Sequence, residues 1–367
     1  MELELTRFPV DPRDPLRAWD ASDEYLLRHL EDLDLAGEVV VVGDRWGALV
    51  TALAELRPVQ ISDSYLAQAA TRANLARNGA GGVRLRSTQD PVPERIDVLL
   101  IRVPRSLALL EDQLHRLAPA VHAGTVVVGT GMVAEIHTST LRLFEDILGP
   151  TRTSLAVRKA RLIFCTPDPD LDRAPSPWPR SYALPDGIGA AAGRTVVNHA
   201  GIFCADRLDI GTRFFLGHLP GGFERVVDLG CGNGVVGLAA ALAEPRREIQ
   251  FIDESHQAVA SAEATFRAGT DARAEFVVGD GLSGTGTADL VLNNPPFHTH
   301  QATTDSTAWR MFAGARQALV TDGELWVVGN RHLGYHVKLR RLFGNCETIA
   351  SNPKFVILRA TKARRRR

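Results

Sequence analysis

The run Asp289-Leu290-Val291-Leu292-Asn293-Asn294-Pro295-Pro296-Phe297-His298 gathers residue types that make chemical sense around a planar amino group. Asp289 to Asn293 reads as a short buried strand. The two prolines after Asn294 end its pairing at once, because each lacks an N–H, fixes its own φ and restricts the residue before it. A rigid loop at the C-terminal end of a strand is the expected product, and in an open α/β sheet ligands bind at that end. The side-chain oxygen of Asn294 and the carbonyl of Pro295 can both accept hydrogen bonds from one NH2 group. Phe297 offers a flat face beside them. Acceptors for an amine next to an aromatic plate suit a purine or pyrimidine with an exocyclic amine, lifted out of its helix. A tight proline turn with Phe297 in the core would use the same residue types, so a second motif has to decide.

That motif is Asp228-Leu229-Gly230-Cys231-Gly232-Asn233-Gly234, read as strand end, glycine turn and helix start. Glycines let the backbone pass close beneath a ligand, and the helix N-terminus adds donors and partial positive charge. Dehydrogenases use a similar turn. Asp228, however, suits an amino acid ammonium better than a pyrophosphate, whose charge it would repel. Asp253, after the following strand, is placed to accept from ribose hydroxyls, with Glu254 beside it. Asp280, ending Phe276-Val277-Val278-Gly279-Asp280, is expected near the amino group of an adenine. One carboxylate at a strand end is ordinary capping; three at successive strand ends favour a bound ligand. His332 and His336 have the spacing of zinc ligands, but no acidic or Cys partner completes a set, so no metal is expected. The basic C-terminus, Lys354, Arg359, Lys362 and Arg364 to Arg367, fits phosphate contacts and a solvated end equally well.

The elements that must position these residues follow from the rest of the chain. Its 367 residues suggest two domains, and 45% hydrophobic with 23% charged residues is the composition of a globular protein. A formal net charge of -1 means that any basic surface is local. No apolar run reaches the roughly 18 residues that would span a bilayer, the acidic N-terminus is unlike a leader, and the four cysteines are scattered without paired spacing. We therefore expect a cytoplasmic protein.

Leu16 to Leu35 has helical periodicity. Glu38 to Val42 reads as a strand, followed by Gly43 to Gly47 and a helix from Ala48 to Leu56. Val59 to Ser62, Asp97 to Arg102, Thr125 to Gly129 and Ala160 to Thr166 read as further strands, with helices over Tyr65 to Arg77 and Leu107 to Leu117. Such alternation implies a mainly parallel sheet. Residues 167–185, loaded with Pro, Asp and Ser, read as a linker between residues 1–166 and residues 186–367.

The second half repeats the first. Arg225 to Gly234 mirrors the stretch ending at Gly47, Phe251 to Ser255 mirrors Ile61 to Ser64, Asp289 to Phe297 mirrors Asp97 to Arg105, and Gly323 to Gly329 mirrors Gly124 to Gly129. The skeleton is kept and the chemistry is not. Val41 stands for Asp228, Arg45 for Gly232, and Arg102-Val103-Pro104 for Asn294-Pro295-Pro296. We expect residues 1–166 to be a degenerate copy retained for binding or stability, and residues 186–367 to carry the chemistry.

Asp228 to Gly234 together with Asn294-Pro295-Pro296-Phe297 resembles the two signature motifs of S-adenosylmethionine-dependent class I methyltransferases that act on exocyclic or amide nitrogens. Gly201-Ile202-Phe203 and Leu208-Asp209-Ile210-Gly211-Thr212 are similar to the segment preceding the first motif in the tandem-domain ribosomal RNA guanine-N2 methyltransferases. Asp253-Glu254-Ser255, Thr304-Asp305 with Trp309, Gly329 to His332 and Phe343 to Cys346 resemble the branch acting on 23S rRNA rather than 16S rRNA. Trp19 to Ala21 and Asp23 to Leu26 extend the likeness to the N-terminus. The resemblance implies two tandem Rossmann-like class I methyltransferase domains, each a mostly parallel seven-stranded sheet flanked by helices.

By the same resemblance only the second domain binds S-adenosylmethionine. Phe203, Asp209, Gly211, Thr212, Asp228, Gly230, Gly232, Gly234, Asp253, Glu254, Asp280 and Asn294 would line the cofactor site. Asn294, Pro295 and Phe297 would be catalytic, and Pro296, Phe297 and His298 would meet the substrate. The partner would be 23S rRNA or an assembling ribosomal subunit, with no membrane, and the protein a monomer. Methylation of 16S rRNA, methylation of a protein glutamine, and a non-catalytic RNA-binding assembly factor are the alternatives.

Overall fold

The computed structural model describes residues 3–10, 16–282, 286–296 and 301–364, with the side chains of 301–305 outside that description. The chain divides into two compact units, Met1–Trp178 and Pro179–Arg367.

In the first unit, α1 (Ala21–Leu30) precedes β1 (Val39–Val42), α2 (Ala48–Ala52), β2 (Val59–Ser62), α3 (Tyr65–Arg77), β3 (Arg84–Ser87), β4 (Ile96–Arg102), α4 (Leu107–Leu117), β5 (Val121–Met132), α5 (Thr138–Ile147), β6 (Thr151–Thr153) and β7 (Ala160–Cys165). The strands form one seven-stranded sheet ordered β3-β2-β1-β4-β5-β7-β6, parallel except for β7, which runs antiparallel to both of its neighbours. Four consecutive valines make β1 a strand that is buried on both faces, as a parallel central strand requires. Val40 and Val42 pack with Leu110, Leu114 and Phe144, while Val39 and Val41 pack with Leu26 and Leu30 on the opposite face. The helical periodicity of Leu16 to Leu35 yields one helix of ten residues, and the helix expected through Leu56 breaks into α2 and a short 3-10 turn, Ala54–Leu56.

The second unit begins with a hairpin of β8 (Arg180–Ala183) and β9 (Thr195–Asn198), so part of the stretch expected as linker is a paired strand. Then come α6 (Ile210–Leu216), β10 (Arg225–Leu229), α7 (Val235–Ala243), β11 (Glu248–Asp253), α8 (His256–Gly269), β12 (Ala274–Val278), β13 (Ala288–Asn293), α9 (Gln301–Ala318), β14 (Leu319–Asn330), α10 (Tyr335–Phe343), β15 (Glu347–Ser351) and β16 (Phe355–Thr361). Its sheet, β12-β11-β10-β13-β14-β16-β15, repeats the order of the first strand for strand, again with one antiparallel member, β16. Among the described residues no helix is long and apolar enough to cross a membrane.

Register fixes the correspondence between the halves. Gly47 and Gly234 both cap the helix after the first strand in the left-handed conformation. Val42 pairs with Ile61 and Ile101, as Leu229 pairs with Ile252 and Asn293. Arg102 therefore lies where Asn294 does, Arg45 where Gly232 does, Val41 where Asp228 does, and Ser62 where Asp253 does. Because β5 and β14 both have twelve residues, Gly329 falls opposite Gly131 rather than the expected Gly129.

Candidate active site

In the second unit the strand order reverses between β10 and β13, and the loops leaving a sheet on either side of such a point frame a crevice. Leu229 and Asn293 are paired neighbours, and Asn293 Nδ2 donates to the Leu229 carbonyl at 2.7 Å. The glycine turn and Asn294 thus depart from the sheet side by side. Two glycines of the turn serve different ends. Gly234, at φ +76°, approaches α8 so closely that a Cβ there would lie 2.8 Å from the Ala262 Cα. Gly232, at φ +52°, would project a Cβ into space with no atom within 4 Å. The first glycine packs helix on helix; the second leaves the room above the turn open for a ligand. Gly230, at φ +69°, starts the turn.

The carboxylates do several jobs. Asp228 is 3% exposed, and its Oδ2 accepts from the Gly237 N–H at 2.8 Å in the first turns of α7. Burial, with Asp253 nearby, raises its carboxyl to about 7 against the pull of that N–H. Asp253 braces the turn itself, with Oδ2 accepting from Gly232 N at 3.0 Å and Oδ1 from Ser255 N at 3.1 Å. Glu254 is exposed beside it. Asp280, two residues past the end of β12, is ion-paired with Arg310 of α9. Asn233 leans the other way, donating to Asn198 Oδ1 of β9 at 3.0 Å.

Asn294 meets residues from a distant segment. Asp209 caps α6, its Oδ2 accepting from Thr212 N at 2.9 Å and from the Thr212 hydroxyl at 3.3 Å. Asn294 Nδ2 in turn donates to Thr212 Oγ1 at 3.0 Å. Asn294 Oδ1 is buried and has no hydrogen-bond partner. Pro295 is buried and Pro296 exposed. Gly211 is closely surrounded, since a Cβ there would lie 3.0 Å from both Asp209 Oδ2 and the Phe355 ring and would press on both. Phe203, in the loop before α6, is 54% exposed. Phe297 and His298 lie outside the described residues. The structure thus brings the glycine turn, Asp228, Asp253, Asn294, Thr212 and Asp209 to one edge of the sheet.

The first unit fills the same positions with charge. Arg102, 1% exposed, donates through Nη2 to Asp20 Oδ2 at 2.6 Å and through Nη1 to Glu135 Oε2 at 2.9 Å. Its Nε lies 3.4 Å from Asp23 Oδ1. Arg45 Nη2 donates to Glu135 Oε1 at 2.6 Å, and Arg45 Nη1 lies 3.6 Å from Asp20. Burial raises the carboxyls here, but Arg102 and Arg45 outweigh it at Glu135, which is held at about 2, while Arg102 and the hydrogen bonds from Ser22, with Arg45 last, hold Asp20 below its usual value. Asp23 is more deeply buried and farther from Arg102, and its carboxyl is pushed up to about 7. Below the turn, the helix donors that Asp228 serves in the second unit are met by Asp44, which accepts from Gly47, Ala48 and Val50 at 3.0, 3.1 and 3.0 Å.

Sequence reasoning did not single out Asn293, Asn198, Arg310 or the contact between Thr212 and Asn294. Only the last left a readable trace, the Asp209-x-x-Thr212 spacing of a helix cap.

Residues 1–169 match the RLMG N-terminal domain family, and residues 193–359 match the Methyltransferase small domain family. The chain is 72% identical to a Streptomyces avermitilis protein named "Ribosomal RNA large subunit methyltransferase G", over 98% of this chain and 96% of that one. An Aeromonas salmonicida protein of the same name is 47% identical over 98% and 97%. Among solved structures, a T. thermophilus 16S rRNA N2 methyltransferase in complex with AdoMet and guanosine superposes with a TM-score of 0.75 at 19% identity, covering 98% of this chain and 95% of that one. That likeness extends the shared fold across both units.

Proposed function

Since the chain belongs to the ribosomal RNA large subunit methyltransferase G family, we propose that it transfers a methyl group from S-adenosylmethionine to the exocyclic N2 of a guanine in 23S rRNA. The observation that carries this reading is the buried, unpartnered Oδ1 of Asn294 at the switch-point edge of the second sheet. An unsatisfied buried acceptor is costly, and an amine donor arriving with a substrate removes the cost.

The residues fit the cofactor. Gly230, Gly232 and Gly234 form the turn, the space over Gly232 is open, and Asp253 stands at the neighbouring strand end. In this reading Asp253 and Glu254 take the ribose hydroxyls, Asp228 faces the ammonium, and Phe203, Gly211 and Asp280 complete the walls, with Asp209 and Thr212 behind them as the support of Asn294. S-adenosylmethionine supplies an electrophilic methyl on a sulfonium.

Guanine N2 is a poor nucleophile because its lone pair is delocalised into the ring. Asn294 Oδ1 and the Pro295 carbonyl accept its two N–H bonds, which orients the group and favours pyramidalisation, turning the lone pair toward the methyl donor. The contribution is positioning and electrostatics. Asn294 has no basicity at neutral pH, so the released proton passes to water. The role assigned to Phe297 is to stack on the flipped base, a contact that contributes about 1 to 3 kcal/mol on other base platforms, and Pro296 and His298 are assigned to the substrate.

The test incubates the protein with methyl-labelled S-adenosylmethionine and protein-free 23S rRNA, protein-free 16S rRNA, or ribosomal subunits, followed by nucleoside analysis. Labelled N2-methylguanosine in 23S rRNA, free or within the large subunit, is the expected result. The same nucleoside in 16S rRNA alone would reject the choice of RNA, and label in no RNA would reject the reaction.

A further inference from the structure

We infer that Thr212, backed by Asp209, is a positioning residue that decides which end of the Asn294 amide meets the substrate. The inference rests on the reading of Asn294 as the acceptor for the amine. It follows from the direction in which each hydrogen bond can run.

An ionised carboxylate can only accept. Asp209 Oδ2 already takes the Thr212 N–H at 2.9 Å, and the Thr212 hydroxyl lies 3.3 Å from the same oxygen. The hydroxyl proton therefore points to Asp209. That leaves the Thr212 oxygen as an acceptor toward its other neighbour, Asn294, 3.0 Å away. An amide facing an acceptor must present its NH2, so Nδ2 turns to Thr212 and Oδ1 turns away. Oδ1 is then the buried atom left without a partner.

Without this chain the two ends of an amide are nearly the same shape, and half of the orientations would present NH2 to an incoming NH2. Two donors facing each other bind nothing. The relay thus selects for a substrate group that donates and against one that only accepts. The backbone supports the arrangement, because Asp209 and Thr212 are three residues apart in one helix cap, whereas Thr212 and Asn294 are 82 residues apart and joined by the fold alone.

The experiment uses the full-length protein, Thr212→Val and Thr212→Ser. Valine keeps the volume and the backbone cap and removes the hydroxyl; serine keeps the hydroxyl. Three quantities are read: kcat at saturating 23S rRNA and S-adenosylmethionine, the Kd for S-adenosylmethionine by calorimetry, and proton exchange at the Asn294 side-chain amide. The amide signal is observed with 15N-asparagine labelling and assigned by its disappearance in Asn294→Ala.

Thr212→Val is expected to lower kcat about 10- to 100-fold, leave the Kd for S-adenosylmethionine unchanged, and speed amide exchange. Serine should restore all three. In an Asn294→Ala background, Thr212→Val should cost nothing further. A higher Kd for S-adenosylmethionine with kcat intact at saturation would overturn the inference and make Thr212 a cofactor ligand, and so would a full additional loss in the Asn294→Ala background. If the wild-type protein methylates no RNA, the functional reading fails by itself. Amide exchange then decides the relay, and unchanged protection in Thr212→Val overturns it.

Discussion

Each unit sets three polar residues in matching places, two at the cap of the helix that precedes the sheet and one at the end of its fourth strand. In the first they are Asp20, Asp23 and Arg102; in the second Asp209, Thr212 and Asn294. The first set is a closed system of charges, with the guanidinium of Arg102 shared between carboxylates and Arg45 laid across the room that Gly232 leaves open in the other unit. The second set is a chain of hydrogen bonds that stops one acceptor short. The strand order and the positions of the caps are the same in both. The same strand order can thus carry an enclosed set of paired charges in one unit and an unfilled acceptor in the other.

Substitutions can break this comparison from either side, and the largest effect belongs to the closed unit. Arg102→Ala removes a fully enclosed guanidinium, leaves the buried Asp23 without its cation and Asp20 and Glu135 with Arg45 alone, and should cost about 3 to 5 kcal/mol of stability, read as a lower unfolding transition in calorimetry, with the Kd for S-adenosylmethionine unmoved. The carboxylates that Arg102 holds below their usual values add a pH signature. Their stabilisation is complete above the unfolded values and is lost as pH falls toward the value of about 2 held by Glu135. A flat acid limb for the first unit would mean that the cluster is not what holds it.

Next comes Asn294→Ala, expected to lower kcat about 10²- to 10³-fold, by analogy with removing one fixed hydrogen-bonding group at a reacting centre. Cofactor affinity measured by calorimetry should persist. Unchanged turnover would remove Asn294 from the mechanism. Gly232→Arg copies Arg45 into the open unit. The arginine both fills the space over the turn and holds a φ of +52° that costs a side chain about 1 to 2 kcal/mol, so S-adenosylmethionine affinity should fall about 100-fold or more. Retained affinity would show that the room above the turn is not where the cofactor lies.

The smallest effect concerns Asp228, whose carboxyl is raised to about 7 by burial. If it faces the ammonium, only its ionised form attracts that cation, so affinity should improve about tenfold from pH 6 to pH 8 and level off above. In Asp228→Asn the profile should be flat. The raised value works oppositely on the folded state alone: Asp228 costs nothing below its unfolded value near 3.8 and destabilises as pH rises toward 7.

The parts of the site legible in the sequence are those fixed by local geometry. Glycines that must take positive φ and prolines that cannot pair announce the turn and the strand end wherever they occur, and the repeated order of such signals exposed the duplicated fold. The contact between Thr212 and Asn294 was not legible, because it depends on how α6 meets the end of β13. Arg102 looked like a simple loss of Asn; its three acidic partners come from two separate segments. Asp280 read as a ligand, while its ion pair with Arg310 depends on where α9 lies against the end of β12. Val41 suggested that the first unit had lost a carboxylate, whereas the structure shows one three residues later, at Asp44, serving the same helix.

The position of that carboxylate limits which substitutions the first unit can accept. Asp44 is buried, and burial already raises its carboxyl. Placing an aspartate at position 41, where Val41 is fully enclosed, would set a second buried negative charge against a helix terminus whose donors are taken. Removing Asp44 first would leave those donors unmet. Exchanging one unit's arrangement for the other's, one residue at a time, therefore runs uphill from either start.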